Sequence, residues 1–380
     1  MSWEYKTLDQ LGEVSRGRSK HRPRNDPSLY GGKYPFIQTA DVKAANFYIT
    51  EYDTTYNEKG LAQSRLWNPG TLCITIAANI ADTGILAMDA CFPDSVMGFI
   101  PYDGVADVRF VKYCFDILQQ DCKKISQGTA QDNLSWEKLS TIRFPAPSIA
   151  IQQKIAEILS AYDDLIENNQ KQIKLLEEAA QRLYKEWFID LRFPGHETTP
   201  IVDGVPEGWE KVEVGTCIAK IARTKQVMTA ELLDVGRIPV VDQSRSFVAG
   251  YTNDEETIVD LGTPIIVFGD HTRVLKYIQF PFAKGADGTQ LIVTNNEKMP
   301  QSLFYCSLVN VDLSNYHYAR HFKYLKAEEI LLPSLDVAHQ FDGVVSPLFE
   351  QVQMLRDKCK LAAEARDRLL PKLMSGEIEV

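Results

Sequence analysis

The chain has 380 residues, of which 44% are hydrophobic and 24% are charged, and its formal net charge at neutral pH is −10. This length accommodates two domains that each bury a core, and no apolar run approaches the roughly 20 residues that a membrane-spanning helix needs. Seven cysteines without a CxxC pair argue against a disulfide framework and against a zinc site. The N-terminus has no apolar signal core, so we expect a cytoplasmic protein with reduced thiols.

The acidic net charge argues against a simple nucleic-acid binder, but the charge distribution weakens that argument. Residues 1–147 carry 16 basic and 17 acidic side chains, so this part of the chain is nearly neutral. The acidic excess lies in the remaining residues. The first part therefore retains enough base for a local positive surface, and the local field matters more than the total charge.

Residues 1–147 are predicted to form a mixed α/β domain. Short β-branched and aromatic runs, such as Thr71–Ile76, are separated by turns rich in Gly, Pro, Asn and Asp. Around residues 107–124 the apolar side chains recur at helical spacing, which predicts a helix close to the end of this domain.

A long helix is predicted over residues 148–190, with Ser148 as its N-cap. Nine of ten positions in a heptad repeat are apolar, which is typical of a coiled-coil seam. One row of the seam contains Leu159, Ile166, Ile173, Ala180 and Trp187, and the other contains Ile155, Tyr162, Asn169, Leu176 and Leu183. Asn169 is the polar member, of a residue type that fixes helix register.

Residues 191–208 have the Pro- and Gly-rich composition of a linker, residues 209–335 are predicted to form the second domain, and residues 336–380 the second long helix. The rows of this helix are Phe341, Leu348, Leu355, Ala362 and Leu369, and Val345, Val352, Cys359, Arg366 and Leu373. Pro347 and Pro371 predict a kink or a start in two pieces. We expect the two helices to pack antiparallel on each other; the alternative is two independent helices that each cover their own domain.

Several short patterns occur twice, which indicates an internal duplication. Trp3-Glu4 near the start of the chain recurs as Trp209-Glu210. The turn at residues 68–71 recurs at 260–263, and Tyr113-Cys114 recurs as Tyr305-Cys306. Two globular domains, each followed by a long helix, suit a target that also has two halves.

The sharpest local pattern is the basic segment, residues 16–24, in which Arg16, Arg18, Lys20, Arg22 and Arg24 alternate with other residues. In an extended backbone alternate side chains face the same way, so these five cations are predicted to line one edge and to contact the phosphates of a nucleic-acid strand. The alternative is a solvated, mobile basic loop. Such contacts would supply affinity and not sequence choice.

Reading base edges requires amides, hydroxyls and guanidinium groups. Candidates in the first copy are Gln38, Thr39, Asn79, Thr129 and Gln131. Candidates in the second copy are Gln243, Ser244, Arg245, His271, Arg273, Tyr316, His317, Arg320 and His321, and Arg223 and Lys225 add two cations. His317 and His321 are four residues apart, but no acid or cysteine completes a metal site, so we expect no metal. No nuclease or methyltransferase signature is present, and no phosphate-binding loop.

The chain resembles a known family, the DNA-specificity subunits of type I restriction-modification systems. The resemblance covers essentially the whole chain and is strongest in the segments that join domains to helices. These segments are Gly128–Ser135, Phe144–Pro147, Gln152–Ala156, Glu186–His196 and Leu369–Ile378. The second junction, Tyr318–Lys326, differs clearly from the first, so we expect two different half-sites.

The resemblance implies an α+β fold with two target-recognition domains in tandem, separated by two long helices packed as an antiparallel coiled coil. Each domain would read one half of a split site in double-stranded DNA. It implies no catalytic activity and no cofactor in this chain. Two methyltransferase subunits using S-adenosylmethionine would dock on it, and restriction subunits using ATP and Mg²⁺ often join them.

Two other classes of protein compete with this interpretation. A coiled-coil scaffold with two protein-binding heads would have the same helices and no DNA role. A self-sufficient nuclease or methyltransferase would need a metal or cofactor constellation that the sequence does not show.

Overall fold

The computed structural model describes residues 3–76, 82–125, 136–286, 288–316 and 320–380. The chain divides into two compact units. The first unit is Met1–Asn169 with Lys358–Val380, and the second is Gln170–Asp357. The two predicted domains, 1–147 and 209–335, therefore lie in different units, and each unit also contains one stretch of each long helix.

The first unit is built around a five-stranded sheet with the order β2-β8-β6-β7-β4, antiparallel except for the parallel pair β4 and β7. The strands are β1 (Glu4–Lys6), β2 (Gly12–Arg16), β3 (Tyr30–Pro35), β4 (Tyr48–Ile49), β5 (Thr55–Tyr56), β6 (Leu72–Thr75), β7 (Thr83–Leu86), β8 (Val96–Pro101) and β9 (Phe144–Ala146). The helices are α1 (Leu8–Leu11), α2 (Thr39–Ala44), α3 (Glu58–Ala62), α4 (Val108–Ile125), α5 (Trp136–Leu139) and α6 (Ile149–Tyr184), of which α6 continues into the second unit.

The second unit contains a sheet of order β13-β19-β14-β15, in which β16 also pairs with β19, and a three-stranded sheet β18-β17-β20. The strands are β10 (Ile201–Val202), β11 (Val205–Pro206), β12 (Glu210–Glu213), β13 (Gln226–Val227), β14 (Ile238–Val241), β15 (Gly250–Thr252), β16 (Ile258–Val259), β17 (Ile265–Gly269), β18 (Leu275–Ile278), β19 (Phe282–Gly285), β20 (Thr289–Ile292) and β21 (Glu329–Leu332). The helices are α7 (Gln301–Val309), α8 (His321–Ala327) and α9 (Leu335–Met374), whose last residues belong to the first unit.

The structure confirms the duplication, because both copies close in the same way. In the first unit β1 pairs antiparallel with β9, and in the second unit β12 pairs antiparallel with β21. Each closing strand is followed directly by a long helix. The recurring turns contain Gly70 and Gly262, both with positive φ, and each precedes a buried strand, β6 or β17.

The two long helices run antiparallel within each unit. In the first unit the Cys359 thiol lies 3.7 Å from the Ile166 carbonyl oxygen, and Arg366 pairs with Asp163. In the second unit Arg356 pairs with Glu177 at 2.6 Å, and the rings of Phe188 and Phe341 lie 5.2 Å apart. In both units residue numbers rise along one helix as they fall along the other, so the alternative of two independent helices is wrong.

The predicted seam residues lie in the helix contact or next to it. Buried members are Ile155, Leu159, Ile166, Val352 and Leu355. Half-buried members are Ile173, Leu176, Leu183, Leu348 and Leu369. Helix α6 begins where Ser148 was predicted to cap it, and the Ser148 carbonyl accepts the first helical bonds from Ile151 and Gln152.

The structure adds detail to three sequence expectations about these segments. The first helix leaves α-helical geometry at Tyr184 and continues as a π turn, Lys185–Ile189, which buries Phe188 instead of Trp187. Helix α9 is one helix through Pro347 and Pro371, because both prolines are exposed and the carbonyls they leave unbonded can face water. The predicted linker is folded, since it contains the β10-β11 hairpin and buries Phe193 against Trp209.

Candidate DNA interface

The first half of the basic segment has the predicted alternation. Arg16, Arg18 and Lys20 are exposed, whereas Gly17 and Ser19 between them are buried. The segment continues from β2, which ends at Arg16. Its three cations therefore point away from the core of the first unit, as contact with phosphates requires.

The backbone of the basic segment is fixed by the neighbouring chain. The Gly17 N–H donates to the Val96 carbonyl at 2.8 Å, and the Arg18 N–H donates to the Phe92 carbonyl at 2.9 Å. The Ser64 hydroxyl donates to the Arg18 carbonyl at 2.7 Å. A Cβ on Gly17 would lie 2.3 Å from a backbone carbonyl oxygen, so only glycine permits this close approach. These bonds favour a fixed edge over a mobile loop.

The second half of the segment departs from the prediction. Arg22 folds back, and its Nη1 donates to the carbonyls of Ser19 and His21 at 2.7 and 2.8 Å. Arg24 forms an ion pair of 2.8 Å with Asp94, an acid 70 positions further along the chain. The predicted edge of five cations is therefore an edge of three, because Arg22 and Arg24 have intramolecular partners that sequence spacing does not show.

The polar candidates of the first copy are only partly described. Gln38 is exposed immediately before α2, and its backbone N–H donates to Asp41 at 2.6 Å. Thr39 is the first residue of that helix and is half-buried. Asn79, Thr129 and Gln131 lie outside the described residues.

In the second unit the loop of residues 242–246 presents Gln243, Ser244 and Arg245 between β14 and β15. Arg245 is exposed. The Ser244 N–H and hydroxyl both donate to Asp242 Oδ1, at 2.9 and 2.5 Å. The His271 N–H donates to Gln243 Oε1 at 3.1 Å, so the structure joins two of the predicted residues. We call residues 242–246 the recognition loop.

Lys276, which sequence reasoning missed, holds the recognition loop from its buried side. Its Nζ donates to the carbonyls of Asp242 and Ser246 at 2.8 and 2.5 Å, and its side chain is 3% exposed. Burial lowers the pKa of Lys276, and the Asp242 carboxylate, 3.8 Å away, opposes that shift. The signal in the sequence is one cation inside the apolar strand Leu275–Ile278.

A second group of predicted residues is engaged within the protein. His321 is 4% exposed, and its ring nitrogens lie 2.9 and 3.0 Å from the carbonyls of Asp270 and Tyr316. His321 therefore ties two segments together, and its ring is engaged within the protein instead of being exposed. The guanidinium of Arg273 donates to the same Tyr316 carbonyl at 3.0 Å.

The other predicted residues of the second copy vary in their surroundings. Tyr316 stacks on Tyr324 at 4.1 Å, and its hydroxyl donates to Glu328. His271, Arg223 and Arg320 are exposed, and His317 lies outside the described residues. Lys225 pairs with Asp254 and Glu256 at 2.6 and 3.0 Å, and hydrogen bonds to these carboxylates raise its pKa to about 12. Its charge is thus largely compensated within the protein.

Each unit also contains an ion pair between the long helices. In the first unit the nearly buried Asp163 carboxylate accepts from the Tyr113 hydroxyl and from Arg366. In the second unit Glu177 pairs with Arg356, whose guanidinium lies 3.9 Å above the Phe247 ring. Arg366 is the charged member of the second heptad pattern, and its partner on the other helix explains its position.

Within the described ranges, no helix is long and apolar enough to cross a membrane. The same residues contain no group of three His, Cys, Asp or Glu side chains placed to hold a metal ion.

Comparison with known proteins shows what the chain is similar to. The family model described as type I restriction modification DNA specificity domain matches residues 1–178. The MjaIX type I restriction enzyme specificity subunit of Methanocaldococcus jannaschii is 26% identical over 409 residues, which cover all of this chain and 94% of the relative. The HindI specificity subunit of Haemophilus influenzae is 25% identical, over 58% of this chain and 48% of the relative.

A solved structure shows the same fold. The crystal structure of the S subunit of a type I restriction-modification system from M. genitalium aligns with a TM-score of 0.56 at 15% identity, covering 98% of this chain and 96% of that chain. Two related α/β domains with an exposed basic edge and polar loops suit a protein that recognises a DNA sequence. Residues 1–178 match the DNA specificity domain, the whole chain is similar to type I restriction enzyme specificity subunits, and its function is DNA sequence recognition.

Proposed function

We propose that the two domains each read one half of a bipartite site in double-stranded DNA, and that the two long helices set the spacing between the halves. The observation that carries this proposal is the duplication: each copy closes with one antiparallel strand pair and leads directly into a long helix. The exposed residues differ between copies, with a basic edge in the first and the recognition loop in the second. Two similar domains with different surfaces suit two different half-sites.

The chain acts without catalysis of its own. Methyltransferase subunits, two per complex, dock on it and modify adenine with S-adenosylmethionine, and restriction subunits that use ATP and Mg²⁺ join them in systems that also cleave DNA. The chain binds none of these cofactors, and the complex works in the cytoplasm. The free thiols of the described cysteines agree with a reducing compartment.

The surface of the helices supports docking of partner subunits. In the first unit Ile158, Leu165 and Leu361 are exposed, and in the second unit Leu175 and Met354 are exposed. Large apolar side chains that recur on helix faces outside the seam are typical of protein interfaces. We assign these faces to the methyltransferase subunits.

Methylome sequencing tests the proposal. Cells expressing this chain with its modification subunit should methylate adenines within a split motif, and cells lacking this chain should not. A second control is the chain with Arg18, Lys20 and Arg245 each replaced by Gln, which should lose the motif while the subunits still copurify. A bound, active modification subunit that produces no split motif would refute the proposal and favour a protein scaffold.

A further inference from the structure

The recognition loop is held at three of its backbone carbonyls by the side chains of Thr272 and Lys276. Lys276 donates to the carbonyls of Asp242 and Ser246, which lie at opposite ends of the loop. The hydroxyl of Thr272 donates to the Gln243 carbonyl at 2.6 Å. One ammonium group thus joins both ends of a five-residue loop, whose conformation is fixed before any ligand binds.

Holding a loop with a buried ammonium group carries a large desolvation cost. Removing a cation from water costs free energy that its partners must return, and Lys276 has two carbonyls and a carboxylate 3.8 Å away for this purpose. A neutral side chain would avoid that cost, but a lysine has three donors on one atom. Two of these donors bind the two ends of the loop at once.

The fixed loop presents one exposed cation, Arg245. Arg245 is exposed between Ser244 and Ser246, whose backbone or side-chain groups are bonded within the protein. An arginine that reads a guanine donates two parallel hydrogen bonds to its O6 and N7 atoms. Such a contact requires the guanidinium to be held in one orientation, and therefore requires a rigid loop.

We infer that Lys276 is a positioning residue for sequence recognition: by joining the ends of the recognition loop, it orients Arg245 toward a guanine in the half-site of the second domain. This inference rests on the proposed function. Lys276 itself does not contact DNA, because its ammonium group is buried beneath the loop.

The test uses the full chain in complex with its modification subunits. The probes are a duplex carrying the methylated motif and two duplexes that each have one half-site scrambled. Arg245→Ala should lower discrimination of one half-site by about 10- to 100-fold, and should leave the other half-site unchanged. Lys276→Met, which keeps the length of the side chain and removes the donors, should lower discrimination of the same half-site by a similar factor.

A double-mutant cycle separates positioning from general stability. If Lys276 acts through Arg245, the double variant should be no worse than Arg245→Ala alone, because coupled residues are not additive. Lys284→Met is the matched control, since Lys284 is a half-buried lysine of the same domain whose pKa is also lowered by burial. It should leave the discrimination of both half-sites unchanged.

Three outcomes would overturn the inference: unchanged discrimination in Lys276→Met, equal loss at both half-sites, or additive losses in the double variant. If Lys276→Met fails to fold, Thr272→Val replaces it, because this exposed residue contributes one loop bond. A smaller loss at the same half-site then supports the inference, and no loss refutes it. If the wild-type complex binds all three duplexes equally, the proposed function itself fails.

Discussion

Arg18 and Arg24 lie on the same short segment, but their surroundings assign them different electrostatic roles. Arg18 is exposed beside Arg16 and Lys20, whereas Arg24 lies 2.8 Å from the Asp94 carboxylate. A cation that already has a carboxylate partner gains less from a phosphate, because that partner must first be given up. We therefore propose that Arg18 and Lys20 contribute more to DNA contact than Arg24.

Replacing both Arg18 and Lys20 with Gln should weaken DNA binding by the assembled complex. Two lost phosphate contacts should reduce the slope of log affinity against log salt by about 2. Titrations at several salt concentrations measure this slope. Arg24→Gln is the control and should change it much less, and an equal change for Arg24→Gln would contradict the assignment.

Asp163 is the acid in the first unit's helix contact, and its replacement tests that contact. Asp163→Asn should lower the free energy of unfolding by about 3 kcal/mol, because Arg366 is left without its buried partner. Urea denaturation of the full chain gives this value. Asp367→Asn removes the exposed carboxylate that also contacts Arg366, and it should cost less than about 1 kcal/mol. Equal losses in the two variants would show that the buried ion pair stabilises the protein no more than the exposed one.

The sequence predicted residues by type and spacing, and it failed where a partner was distant along the chain. Alternating exposure over Arg16–Lys20 follows from strand geometry alone. The ion pair of Arg24 with Asp94 and the burial of His321 depend on contacts across 51 to 70 positions. Lys276 was missed because a single lysine in an apolar strand has no motif.

Helices α6 and α9 separate their apolar residues into two sets. One set is the seam, with Leu159 fully buried, and the other lies outside it, with Leu165 exposed at 45%. The heptad pattern predicted the first set. The exposed set also recurs at heptad spacing, in Ile158 and Leu165 and in Met354 and Leu361, but the sequence does not say which apolar row the partner helix covers.

The two sets should respond differently to truncation. Leu159→Ala should lower the free energy of unfolding by about 2–5 kcal/mol, because it leaves a cavity. Leu165→Ala should leave stability within about 0.5 kcal/mol and should weaken binding of the methyltransferase subunit. Thermal denaturation and calorimetric titration with that subunit separate the effects. Unaltered binding by Leu165→Ala would exclude this face as the docking site.

Lengthening both helices tests their role in spacing. Seven residues inserted after Asn169 and seven after Asp357 keep the heptad phase of the seam. They add about 10 Å of helix, which corresponds to about three base pairs of DNA. The methylated motif should gain about three unspecified base pairs between unchanged half-sites. Altered half-sites would contradict the proposed role of the helices.

At the scale of the whole molecule, a net charge of −10 opposes binding to a polyanion. Because its own basic edge is small, we propose that the chain depends on its partners for part of its affinity. Duplicated organisation was the most predictable property at this scale, because two copies of one pattern are visible without any contact. The division into two units that share both helices was not predictable, since it depends on which helix stretches pack with which domain.

The isolated chain should bind its methylated motif weakly. At physiological salt its affinity should lie in the range of non-specific binding, about 10⁻⁴ to 10⁻⁶ M, and addition of modification subunits should tighten it by at least about 10³-fold. Fluorescence anisotropy with and without the subunits measures both values. Nanomolar binding by the chain alone would show that partners contribute only catalysis.

The ion pairs between the helices have made the two copies dependent on each other. The first helix supplies the acid in both pairs, Asp163 and Glu177, and the second helix supplies the arginine, Arg366 and Arg356. A molecule assembled from two first copies would lack both arginines of these pairs, and one assembled from two second copies would lack both acids. The two copies share one fold pattern but carry complementary charges at their helix contact, so neither copy can replace the other.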